Sequence, residues 1–210
     1  MKYNYSSNPK LSFTLIELVV ACGLILILVS VLGFDFSNRR EDLRIKSGQQ
    51  LAGSLLLSAR NQAVLKQANA RLIIHNNPGE PEKYLRQMGI IYEEKIHSGR
   101  WKSLNGGSLL PPGVYFNTEI SSWTDAQIMM VEFPRARFQI EGSGEKWIYY
   151  EFTSSGVFNE PGSQFVVGAG VLHPLNNKDF EIEFNNHAMG GILIGKFSGI
   201  PFYTSPENIR

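Results

Sequence analysis

The chain has 210 residues, with 20 Lys and Arg against 19 Asp and Glu and a formal net charge of +1, so it carries no overall field that would draw in nucleic acid or an anionic surface. Its single cysteine, Cys22, excludes an intrachain disulfide and lies in an apolar run, where a thiol packs as a small apolar group. About 175 residues follow that run, enough for one domain with its own core.

Residues 1–12, MKYNYSSNPKLS, are polar, carry only Lys2 and Lys10 as charges, and read as a leader. From Phe13 to Phe34 come 22 residues with no Pro and one charge, Glu17. About 20 residues at 1.5 Å each span a ~30 Å hydrocarbon core, so residues 13–36 are assigned as the membrane-spanning half of an N-terminal helix. A cleaved secretory signal has an apolar region of only about 7–15 residues ending in a small-x-small site, whereas this run continues to Gly33-Phe34. A buried core helix is the other competitor, but the uncharged stretch from Leu18 to Phe34, 17 residues, is long for one. A charge at the centre of a membrane helix is disfavoured by roughly 2.5–3.5 kcal/mol, which makes Glu17 the residue of the run that needs a reason. Snorkelling to the headgroups is the plain one.

No Pro occurs between Pro9 and Pro78, and residues 37–70 keep helical spacing. Leu51, Ala52, Leu55, Leu56, Ala59 and Ala63 recur at i, i+3, i+4, i+7 and i+8, which predicts an amphipathic half of the same helix with one apolar stripe. Arg39, Arg40, Arg44, Lys46, Arg60 and Lys66 lie between or opposite these positions and read as a solvated face. Residues 71–210 form a β-rich globular domain in this reading. RLIIH, MGIIYEE, IMMVEF, ARFQI, WIYYEFT, QFVVG, FEIEF and GILIGKF are strand-like, and NNPGEPE, NGGSLLPPG, EGSGE and NEPGS supply turn chemistry. The fold class expected is α+β: a long N-terminal helix, with a membrane-spanning half and an amphipathic half, packed on an antiparallel β-sheet domain.

Catalytic chemistry finds no spacing to rest on. His75, His97, His173 and His187 form no His-x-x-x-His pair, GSG at 142–144 and SSG at 154–156 are not a nucleophile elbow, and GGILIG at 190–195 lacks a phosphate-binding pattern. The four Asp, at 35, 42, 125 and 179, are scattered. Catalytic residues, cofactor and metal are all expected to be none.

The polar leader followed by Phe-Thr-Leu-Ile-Glu-Leu-Val-Val at residues 13–20, an apolar helix and a β domain resembles the precursors of type IV pilins and type II secretion pseudopilins. The segment SGQQLAGSLLLSARNQAVLKQANARLIIH, with LPPGVYF and FTSSGVF further on, is similar to the H-type minor pseudopilins. The resemblance implies a pilin-like fold and cleavage by a membrane aspartyl prepilin peptidase between Ser12 and Phe13, with N-methylation of Phe13. The family usually has Gly where this chain has Ser12. It also implies that Glu17 is the assembly residue, paired with the N-terminal amine of a neighbouring subunit. Physical reasoning agrees: Glu17 would lie about 6 Å deeper than that amine, beyond easy reach in one chain but within reach in a staggered bundle, where low dielectric strengthens the pair.

The implied partners are the prepilin peptidase, other pilin-like subunits, an inner-membrane assembly platform and the lipid bilayer, with nucleic acid not expected. The implied localisation is single-pass in the inner membrane with the C-terminal domain outside the cytoplasm. Arg39, Arg40, Arg44 and Lys46 after the run pull against that orientation under the positive-inside rule, although long domains translocate regardless of flanking charge. A DNA-binding minor pilin of natural transformation is the alternative. Loss of residues 1–12 would leave 18 basic against 19 acidic side chains, and the terminal SPENIR adds only Arg210, which disfavours phosphate binding.

Overall fold

The computed structural model describes residues 14–104, 106–126, 147–159, 164–176, 179–195 and 201–204. The strand-like runs IMMVEF and ARFQI, the turn EGSGE, most of NEPGS and the leader lie outside these residues. The chain divides into two compact units, Met1–Arg40 and Glu41–Arg210.

The expectation of one long N-terminal helix with a membrane-spanning half is corrected by the structure. Helical backbone covers Leu15–Lys66 (α1), but the helix is divided between the two units and its described side chains fall in two stretches, 15–30 and 40–66. No helix among the described residues is long and apolar enough to cross a membrane. The inference failed at its premise. Freedom from Pro between residues 9 and 78 says only that nothing forbids helical backbone, and it does not by itself supply a segment that crosses a membrane.

Within the second unit the predicted apolar stripe holds. Ala52, Leu56, Ala59 and Ala63 are fully buried, Leu55 nearly so, and Leu51 packs against the same core. The helix ends where Gln67 adopts a left-handed φ of 51°. Ala68 N–H then donates to Ala63 O and Gln67 N–H to Val64 O, both at 3.2 Å, a Schellman arrangement that satisfies two otherwise orphaned carbonyls.

Ten strands are described: β1 (Ala70–His75), β2 (Gln87–Glu93), β3 (Trp101–Ser103), β4 (Ser108–Leu109), β5 (Val114–Phe116), β6 (Thr124–Ala126), β7 (Trp147–Phe152), β8 (Gln164–Pro174), β9 (Phe180–Ile194) and β10 (Pro201–Thr204). One sheet has the order β3-β2-β1-β7-β6, with β4 also on β2, and the other has the order β10-β9-β8-β5. All the pairings are antiparallel. One core joins the helix stripe to both sheets, with Leu72, Ile74, Ile90, Tyr150 and Phe152 from the first and Phe116, Phe165, Val167 and Ile192 from the second. Phe165 touches Phe116 and Tyr150 with ring centroids 4.9 and 5.2 Å apart, so the aromatic contact bridges the sheets.

Alternation along β1 sends Arg71, Ile73 and His75 to the opposite face. There the Arg71 guanidinium lies between Trp101 and Tyr149, 4.1 and 4.3 Å from their ring centres, and pairs with Glu151 at 2.5 Å. His75, fully buried, meets Trp147 edge-on at 5.1 Å. Gln49 ties helix to sheet, its amide N–H donating to Gly191 O at 2.6 Å and to Thr204 O at 3.2 Å.

Candidate functional site

Ser12 and Phe13, the expected cleavage and methylation positions, lie outside the described residues. Glu17 is described, in the first turn of α1. Its carboxylate Oε2 accepts from the Thr14 backbone N–H at 2.9 Å and from the Thr14 hydroxyl at 2.8 Å, while the Glu17 N–H donates to Thr14 Oγ1 at 3.3 Å. These reciprocal bonds form a capping box, with Thr14 as N-cap and Glu17 as the third helical residue. Leu18 N–H donates to Thr14 O at 3.2 Å and closes the first helical turn.

The box gives Glu17 a partner inside its own chain, which the reading of the sequence missed. The signal was present as Thr-x-x-Glu ahead of an apolar run. The acid was weighed only as a charge in hydrocarbon. Helix capping and pairing with a neighbour are compatible, because Thr14 occupies Oε2 and leaves Oε1 without a partner among the described residues.

Around the box nothing is covered. Every described residue from 14 to 30 is exposed, including Leu15, Ile16, Leu18, Val19, Val20 and the continuous run from Leu24 to Val29. A helix surface apolar on all sides has no stable place in water. Cys22 is exposed on the same surface.

The histidines do not converge. His75 is buried against Trp147, and burial in apolar surroundings, opposed by nearby Glu80 and assisted by Lys83, holds it neutral with its pKa down at about 4. His97 sits in a loop with a left-handed φ of 59°, its N–H donating to Glu93 Oε2 at 3.1 Å. His173 pairs with Glu183 at 3.1 Å, and His187 is exposed in β9. Among the described residues no group of three or more His, Cys, Asp or Glu could hold a metal ion.

Comparison with known protein families, with curated proteins and with solved structures found no match to this chain.

Proposed function

We propose that this chain is a structural subunit of a type II secretion pseudopilus or a type IV pilus-like filament, of the minor pseudopilin kind, and that it supports protein secretion or fibre assembly. The observation that carries the reading is the string FTLIELVV at residues 13–20 behind a short polar leader, with Glu17 as the one charge in the apolar run. Prepilin peptidase cuts between Ser12 and Phe13, and the new amine of Phe13 is methylated. The exposed apolar surface of residues 14–30 lies in the inner membrane before assembly and among neighbouring subunits after it, and the second unit lies outside the cytoplasm.

Glu17 then has two tasks. Through Oε2 it caps its own helix, and through Oε1 it receives the Phe13 amine of the adjoining subunit. In hydrocarbon the loss of one member of such a pair is expected to cost several kcal/mol, more than an exposed ion pair is worth.

Mass spectrometry of the mature N-terminus tests the processing step, with methylated Phe13 expected. An intact Met1, or a cut beyond Gly33, overturns the reading. Glu17→Gln keeps the side chain's size and removes its charge, so the variant should be cleaved and remain in the membrane yet be missing from sheared filaments. Normal incorporation of Glu17→Gln rejects the assembly role.

A further inference from the structure

We draw no further inference here: the strongest candidate, the outward face of the helix in the second unit, where Leu43, Leu57 and Val64 are exposed, carries nothing because nothing in the structure shows what covers it.

Discussion

His75 should make the second unit acid-sensitive in a narrow window. The side chain is fully buried against Trp147. Burial, opposed by Glu80 and assisted by Lys83, lowers its pKa from the ordinary 6.5 to about 4. The unfolded chain therefore binds a proton between pH 6.5 and 4 that the folded chain refuses, and stability falls as pH falls through that range. The full shift corresponds to about 3 kcal/mol, of which about 2 kcal/mol should be lost between pH 7 and pH 5. Since whole domains are stable by only about 5–15 kcal/mol, the effect is large enough to measure. Urea unfolding of the full chain in mild detergent, followed by tryptophan fluorescence and circular dichroism at pH 7, 6 and 5, reads it out. Carboxylates contribute to the same pH dependence, so the comparison is with His75→Gln, whatever that variant's starting stability. Its loss between pH 7 and 5 should be smaller than that of the native chain by about 2 kcal/mol. Equal losses in the two proteins would refute the argument and assign the acid sensitivity to the carboxylates.

Four further outcomes follow from the geometry. Gln67→Gly should raise stability by about 0.5–1 kcal/mol, because only glycine takes the left-handed conformation at that helix end without a Cβ penalty; a lower melting temperature would show that the Gln67 side chain contributes more than its strain costs. Gly156→Ala should cost about 2 kcal/mol in chemical unfolding, since φ is 76° and a Cβ would lie 2.7 Å from Val64 Cγ2; a neutral result would mean that the turn relaxes away from the helix. Leu56→Ala removes a fully buried stripe residue and should lower stability by about 3 kcal/mol, seen as a fall in Tm of about 10 °C, whereas a fall of a degree or two would deny the stripe its place in the core. Thr14→Val breaks the capping box at a cost of about 1 kcal/mol and should speed hydrogen exchange of the amides of Glu17 and Leu18, with Thr14→Ser retaining protection; equal exchange in both would remove the box as the source of order.

Legibility in the sequence followed the length of the repeating signal. The stripe from Leu51 to Ala63 spans more than three turns, so its 3.6-residue period stands out, and the buried positions match it. β1, β2, β7 and β8 contain runs of β-branched and aromatic residues that read directly as strands. β3, β4, β6 and β10 are two to four residues long and could not display an alternation; pairing with neighbouring strands makes them strands. FEIEF and GILIGKF were read as separate runs, yet both belong to β9. The polar stretch between them is an irregularity where pairing passes from Gly168↔Met189 to Gly170↔Phe184, with three more residues on β9 than on β8. At the candidate site Glu17 was singled out for its charge, while the hydrogen-bonding partner three residues earlier went unread. The long helix with a membrane-spanning half was the largest error: its described side chains fall in two stretches, 15–30 and 40–66, and no helix among the described residues is long and apolar enough to cross a membrane.

The two hydrogen bonds from Gln49 also fix an order of events at the ribosome. They join residues separated by 142 and 155 positions in the chain. At about 5–20 residues per second, the helix emerges roughly 7–30 s before the last of the strands that cover it, β9 and β10, have been made. Throughout that interval the leucine and alanine stripe lacks the part of its cover that the second sheet supplies. Closure depends on the last-made strands returning to the first-made helix, a high-contact-order step that is intrinsically slow. A stalled or prematurely released nascent chain would therefore leave part of the stripe exposed along with the apolar residues 15–29.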